Sequence, residues 1–357
     1  MTGVGKIPET GKRPIRILVV DDSAFMRFTI TKHLSESPDL VVAGTARDGE
    51  EALSLIPKLE PDVITLDVEM PRLDGLATLR QIMAKYPRPV IMLSSLTSEG
   101  ANETVRALTF GAVDFIAKPS NKANINAIME EVVIKIRRAS KARVSTIPIC
   151  GSGIPEPLKN RSKITRPMLR KEQVLVIGAS TGGPRALNTV IPQLPEDLPA
   201  AVLIVQHMPV GFTRSLAERL DSVSPLAIRE AAPGDRLQIG LCLVAPGGFH
   251  MTLDEQGQIA LNQNPAVHGV RPAIDVTMAA AVKRYGNSVV GVVLTGMGHD
   301  GTHGSLLIHT AGGTVIAEAE SSSIVWGMPR SVIEAGAADV VAPLPEVAAA
   351  IKRAVRA

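Results

Sequence analysis

What most constrains the fold is an alternation that occurs twice along the chain. Strand-sized apolar runs are followed by amphipathic helical runs in "IRILVV", "AFMRFTITKHL", "LVVAGTA", "EALSLIPKL", "DVITLD", "LATLRQIMAKY", "PVIMLSS", "NETVRALTF", "VDFIAKP" and "INAIMEEVVIKIRRA". Strands alternating with helices of this length predict a doubly wound parallel sheet. The pattern resumes with "VLVIG", "PRALNTVIPQL", "AVLIVQ", "FTRSLAERL" and "PLAIREA", and later with "AIDVTMAAAVKRY", "SVVGVVLTG", "GSLLIHTAG" and "TVIAEA". Between these last groups, the Gly-rich "PGDRLQIGLCLVAPGGFHMTLD" predicts a β-hairpin insertion in a second parallel α/β sheet.

The break between the two series, "STIPICGSGIPEPLKNRSKITRP", has scattered Pro, Gly and Ser and neither apolar period. For a chain of 357 residues two domains are the natural division. The boundaries expected are a flexible tail at 1–14, a first domain at 15–139, a basic linker at 140–171 and a second domain at 172–357. The formal charge of +3 is concentrated in this break: from Lys135 to Lys171 there are eleven basic residues, and Glu156 is the only acidic one. Elsewhere acidic side chains outnumber basic ones, which argues against a nucleic-acid-binding face. The basic stretch is read as a solvated tether, with a docking patch as the alternative. Two cysteines, Cys150 and Cys242, form neither a disulfide framework nor a C-x-x-C pair. The apolar runs are too short to span a membrane, and "MTGVGKIPETGKRP" lacks the apolar stretch of a secretory signal, so a cytoplasmic location is expected.

In parallel α/β sheets, sites lie beyond the carboxyl ends of the strands. In the first series these positions hold Asp21 and Asp22, Asp67, Ser94 and Ser95, and Lys118. Three clustered carboxylates repel one another and need a cation, and an all-oxygen set suits Mg²⁺. A carboxylate flanked by Mg²⁺ and a Lys amine can receive a phosphoryl group, because both neutralise its oxygens during in-line transfer. "VVDDSAFMR", "LDVEMPRLDGL", "MLSSLT" and "FIAKP" resemble the two-component response-regulator receiver family over about Ile15 to Ala139. The resemblance implies a flavodoxin-like fold, with Asp67 phosphorylated and Asp21 and Asp22 holding Mg²⁺ with the backbone of Glu69. It also implies that Lys118 pairs with the phosphate, that Ser94 is the switch hydroxyl and that Phe115 occupies the switch aromatic position. The donor would be a phosphohistidine on a sensor histidine kinase.

In the second series the strand-end residues are Ser180, His207 and the cluster "TGMGHDGTHG". "GASTGG" has the G-x-S-x-G spacing of a nucleophile elbow between strand and helix, with Pro184 suited to the helix start. The same loop resembles a glycine-rich phosphate turn, and on the loop alone the two readings are even. His207 and Asp300, both at strand ends, favour the first: Ser attacks, His takes its proton, and a buried Asp fixes the imidazole. Asp275 with His299 or His303 is the alternative partnership, ranked lower because Asp275 falls in a helical pattern. A metal at His299, Asp300, His303 and His309 is a minor reading, since no H-E-x-x-H pattern is present. His250 and His268 are expected to pack or line the cleft, and His33 to lie on the surface.

"IGASTGGP", "QHMP", "APGG", "RPAIDV", "TGMGHDG" and "WGMPR" resemble the CheB-type methylesterases of bacterial chemotaxis. That resemblance implies a Rossmann-like catalytic domain, the triad Ser180, His207 and Asp300, and an oxyanion donor from the Met297 backbone. It implies demethylation of glutamate γ-methyl esters on methyl-accepting chemoreceptors, deamidation of their glutamines, a CheA-type kinase as phosphodonor and no cofactor for the ester reaction. Thr181, Arg185, Met208 and Trp326 are candidates for the substrate cleft. His299 stands beside Asp300 where a small or amide residue is expected, which suggests an altered pH response. An unphosphorylated receiver covering the Ser180 cleft would explain why the two domains are joined. Competing readings are a nucleotide-dependent enzyme using the Ser180 loop and a non-catalytic binding module.

Overall fold

The computed structural model describes residues 13–95, 97–118, 125–144, 165–168 and 172–356. Residues 1–12 of the expected tail, Cys150 and most of the expected 140–171 linker lie outside them. The chain forms two compact units, residues 1–152 and 153–357.

In the first unit, strands β1 (Ile15–Val20), β2 (Leu40–Ala46), β3 (Val63–Asp67), β4 (Val90–Ser94) and β5 (Asp114–Ala117) alternate with five helices. These are α1 (Ala24–Leu34), α2 (Gly49–Leu59), α3 (Gly75–Lys85), α4 (Ser98–Thr109) and α5 (Ile125–Ala139). The sheet is parallel with order β2-β1-β3-β4-β5, the flavodoxin-like arrangement. β3 and β4 are buried throughout, as strands covered by helices on both faces must be. Short polar side chains start the helices: Ser23, Asp48, Asp74 and Thr97 accept hydrogen bonds from the first turns of α1 to α4.

The second unit contains β6 (Arg166–Pro167), β7 (Gln173–Ala179), β8 (Ala200–Gln206), β9 (Ala227–Glu230), β10 (Gln238–Ile239) and β11 (Leu241–Val244). β12 (His250–Leu253), β13 (Ile259–Asn262), β14 (Val289–Val293), β15 (Thr314–Glu318) and β16 (Val340–Ala342) follow. Its helices are α6 (Gly183–Val190), α7 (Phe212–Val223), α8 (Ile274–Tyr285), α9 (Thr302–Thr310), α10 (Met328–Glu334) and α11 (Leu344–Arg356). Seven strands form one parallel sheet in the order β16-β15-β14-β7-β8-β11-β9. Val174, Val176, Leu203, Val205, Val289 and Val293 pack with Ile274, Met278 and Ile308 in its core. Burying each such side chain contributes roughly 1.5–3 kcal/mol, enough to hold the strand ends in fixed register.

The hairpin lies further along than the Gly-rich stretch suggests. β12 and β13 form it, whereas Leu241–Val244 is an interior strand of the main sheet. "LCLV" is buried at every position, which suits a two-sided sheet and not the half-exposed alternation of a hairpin arm. Arg166 and Pro167, within the expected linker, pair with Gln238 and Ile239 and so join the second unit's structure.

Candidate active site

Both candidate sites stand where the strand order reverses, between β1 and β3 in the first unit and between β7 and β14 in the second. In the second unit Ala179 is the register partner of Gln206, so Ser180 and His207 leave the sheet side by side. Val293 is level with Gly178, which brings Leu294 and Thr295 out beside them.

The backbone after β7 turns sharply. Gly182 has φ +80°, and a side chain there would lie 2.9 Å from Ile324. Pro184 then starts α6. The Ser180 amide donates to Thr295 O (3.0 Å), and Ser180 O accepts from the Gly183 amide (2.8 Å). Gln206, buried at the end of β8, donates its Nε2–H to Ser180 O (2.9 Å) and lies 3.2 Å from His207 O. One amide side chain thus ties the two strand ends together.

His207 Nε2 lies 2.7 Å from Asp300 Oδ2. Asp300 is 2 % exposed, and each of its oxygens takes two donors. Oδ2 also accepts from the Ile274 amide (2.7 Å), and Oδ1 accepts from Asp275 (3.0 Å) and Gly301 (3.0 Å). Burial works against this charge, yet His207 and the amides at the start of α8 hold the carboxyl below its usual range. With Nε2–H donating to Asp300, Nδ1 is the nitrogen left to accept a proton. The Ser180 side chain is half-buried and its Oγ makes no hydrogen bond to His207 among the described residues. Such contacts often tighten only when substrate binds.

The strand-end cluster also supplies amides. Gly296 packs directly on Ser180: a side chain there would meet Ser180 Cβ at 2.7 Å and Met328 Sδ at 2.5 Å. Met297 follows, 38 % exposed, and its amide has no acceptor among the described residues.

Asp275, the alternative partner, pairs with His268 (3.0 Å), a residue expected from the sequence to pack or line the cleft. Its other oxygen accepts from the Gly304 amide (2.7 Å). His299 stands against the His268 ring, with centroids 4.2 Å apart. His309 pairs with Asp339 and His250 is buried, bonded to the Ala273 amide and near Pro265 O. Among the described residues His268, Asp275 and Asp300 bring three ligand-type atoms within 4.8 Å, but N–H donors occupy the oxygens of both carboxylates. Of the cleft candidates, Thr181 and Met208 are buried, while Arg185 and Trp326 are half-buried. Burial lowers the Arg185 pKa. The reading of strand ends missed Gln206 and Glu318, although Glu318 ends "TVIAE" and the same rule selects it; Thr295 opens the "TGMGHDGTHG" cluster but has no role assigned to it there.

In the first unit Val20 is level with Leu66, so Asp21 and Asp67 adjoin. Lys118 Nζ lies 3.1 Å from Asp21 Oδ2 and 2.6 Å from Asp67 Oδ2. Burial raises the Asp67 pKa to about 6, against the opposing charge of Lys118, and Asp21 adds to the rise. Burial alone would lower Lys118, but Asp67 and Asp21 outweigh it and hold the amine above its usual range. Asp21, Asp22 and Asp67 each offer an oxygen within 4.8 Å of the others. This crowded, all-oxygen set fits Mg²⁺. The Glu69 amide donates to Asp67 Oδ1 (3.3 Å). The buried Ser94 hydroxyl faces Ser95 O and Gly100 O, both at 3.1 Å, and Phe115 is buried.

The CheB methylesterase family matches residues 175–351, and the response regulator receiver domain family matches residues 17–130. A protein-glutamate methylesterase/protein-glutamine glutaminase of Symbiobacterium thermophilum is 51% identical over 354 residues, covering 96% of this chain and 98% of that protein. One of Pyrococcus abyssi is 47% identical over 354 residues, covering 98% and 95%. A crystal structure of the Thermotoga maritima CheB methylesterase catalytic domain is similar at 45% identity and a TM-score of 0.50, covering 51% of this chain and 98% of that one. Among the described residues no helix is long and apolar enough to cross a membrane. The chain belongs to the protein-glutamate methylesterase/protein-glutamine glutaminase family, enzymes in which a response regulator receiver domain precedes a CheB methylesterase domain.

Proposed function

We propose that the protein hydrolyses glutamate γ-methyl esters on chemoreceptors and deamidates their glutamines, as a cytoplasmic enzyme of chemotactic adaptation. The observation that carries this reading is the His207–Asp300 pair, with Asp300 held by four donors, on the same sheet edge as the Ser180 turn.

Ser180 Oγ attacks the ester carbonyl carbon, and its proton passes to His207 Nδ1. Asp300 holds the imidazole and stabilises the imidazolium. The Met297 amide donates to the oxyanion, and removing one such donor typically costs about 3 kcal/mol of transition-state stabilisation. Collapse breaks the carbon–methoxy bond, and His207 gives its proton to the departing oxygen, releasing methanol. Water, deprotonated by His207, then attacks the acyl carbon and restores Ser180. With glutamine, the same steps release ammonia. Thr181, Arg185, Met208 and Trp326 are taken as the cleft that receives the substrate helix.

The domain assignment is a tail at 1–14, a receiver at 15–139, a linker at 140–171 and a catalytic domain at 172–357. A CheA-type sensor histidine kinase phosphorylates Asp67, which relieves inhibition by the receiver. Asp21, Asp22, Asp67 and the backbone of Glu69 would hold Mg²⁺, which neutralises phosphoryl oxygens when bound. Lys118 pairs with the phosphoryl group, and Ser94 and Phe115 reposition in response.

Methanol release from methyl-labelled receptor membranes, with and without a small-molecule phosphodonor and Mg²⁺, tests the reading. Release that requires Ser180 and Asp67 and rises with phosphodonor is expected. Equal release by Ser180→Ala would rule out the nucleophile.

A further inference from the structure

Glu318 is fully buried at the end of β15, and no cation pairs with it among the described residues. Its surroundings are the Thr295 amide and the hydroxyls of Ser322 and Ser323, and burial raises its pKa above the usual carboxyl value. A buried carboxylate without a cation is costly, and apolar packing would serve stability better. What it holds explains the arrangement. Ala317 is level with Val293, so Glu318 comes out beside the chain leading to Thr295. Oε2 accepts from the Thr295 amide (2.8 Å), and Oε1 accepts from Ser322 Oγ (2.9 Å). Ser322 Oγ in turn accepts from the Leu344 amide (2.8 Å), so the carboxylate is anchored from behind.

Thr295 is the hub in front of it. Its carbonyl accepts from the Ser180 amide (3.0 Å). Its hydroxyl donates to Thr181 O (3.0 Å) and accepts from the Val325 amide (2.9 Å), while Val325 O accepts from the Gly296 amide (3.0 Å). The backbone on both sides of the proposed nucleophile and the segment leading to Met297 therefore hang from one residue.

We propose that Glu318 is a positioning residue for the reaction at Ser180, acting through Thr295 to set the nucleophile's turn and the oxyanion-binding amide in a single geometry. The assignment rests on Ser180 being the nucleophile. Displacement of reacting groups by about 1 Å costs roughly 100-fold in rate, so loss of this anchor acts on the chemical step more than on binding.

The test is inactivation of the full-length protein by a fluorophosphonate, with labelling mapped to Ser180 and the limiting rate separated from the half-saturating concentration. Glu318→Gln keeps an acceptor for the Thr295 amide and is expected to stay within about 3-fold of the unsubstituted protein. Glu318→Met keeps the volume without the acceptor and is expected to lower the limiting rate roughly 10- to 100-fold, with the half-saturating concentration little changed. In Glu318→Met, hydrogen exchange at the Thr295 and Ser180 amides should accelerate at a temperature where the fold is intact. Thr295→Val, which removes only the hydroxyl link, is expected to slow labelling in the same way and serves if Glu318→Met does not fold. A lowered melting temperature with an unchanged limiting rate in the folded variants would show a purely structural role and overturn the proposal. Absence of Ser180 labelling in the unsubstituted protein would overturn the nucleophile assignment as well, a result distinguishable from slow labelling confined to the variants.

Discussion

Asp275 and Asp300 cap each other's helices. Asp300, in the loop before α9, accepts from Ile274 and Asp275 at the start of α8, and Asp275 accepts from Gly304 in the first turn of α9. Carboxylates at helix N-termini are favoured by the unpaired amides and the helix dipole. The arrangement places two like charges together, and burial first and Asp300 second hold the Asp275 carboxyl above its usual range. His207 and His268 each face one of them. The orientation of the proposed catalytic carboxylate is thus built into the packing of α8 on α9.

Replacing Asp275 with Ala removes the cap on α9 and the partner of His268. The unfolding free energy, measured by urea titration, is expected to fall by about 1–2 kcal/mol. An unchanged midpoint would mean that water satisfies the Gly304 amide equally well.

Asp300→Asn keeps the shape but turns a donor toward the α8 amides or toward His207, so one of the observed bonds must break. The turnover rate is expected to fall by ~10⁴-fold with a small change in KM, as when a neutral group no longer fixes the tautomer or supports the imidazolium. Steady-state methanol release across pH checks this.

Gly296→Ala drives a methyl group toward Ser180 Cβ and Met328 Sδ, at 2.7 and 2.5 Å. Backbone and side chain must both shift, and displacement of the turn that carries Ser180, the proposed nucleophile, is expected to lower activity roughly 100-fold. Fluorophosphonate labelling and the melting temperature together separate this from simple unfolding.

Asp67 is an acid whose folded pKa, about 6, lies above the ordinary value of an aspartate. Its ionised form therefore destabilises the fold above that pKa, and the penalty disappears as pH falls below the unfolded value. Relative to Asp67→Asn without metal, the unsubstituted protein is expected to gain up to about 3 kcal/mol between pH 7.5 and pH 4. Mg²⁺ at pH 7.5 should raise the melting temperature, and less so in the Asn variant. A pH-independent difference between the two proteins would contradict the burial of this charge.

The two parallel α/β units, the strand ends carrying Asp21, Asp67 and Lys118, and those carrying Ser180, His207 and Asp300 were legible in the sequence. Apolar periodicity and the residue after a strand are local properties, and sites gather at strand ends for topological reasons. The Gly-rich stretch contains the first arm of the hairpin, β12, but not the second, because such a run marks turns without saying which strand joins which sheet. Only the tertiary structure decided that Gln206 ties Ser180 to His207, that Asp275 turns to His268, and that Glu318 anchors Thr295. Gln206 to Ser180 spans 26 residues and Glu318 to Thr295 spans 23, while His207 and Asp300 are 93 apart. At such separations a polar side chain's partner is set by strand register and core packing, which no local pattern encodes.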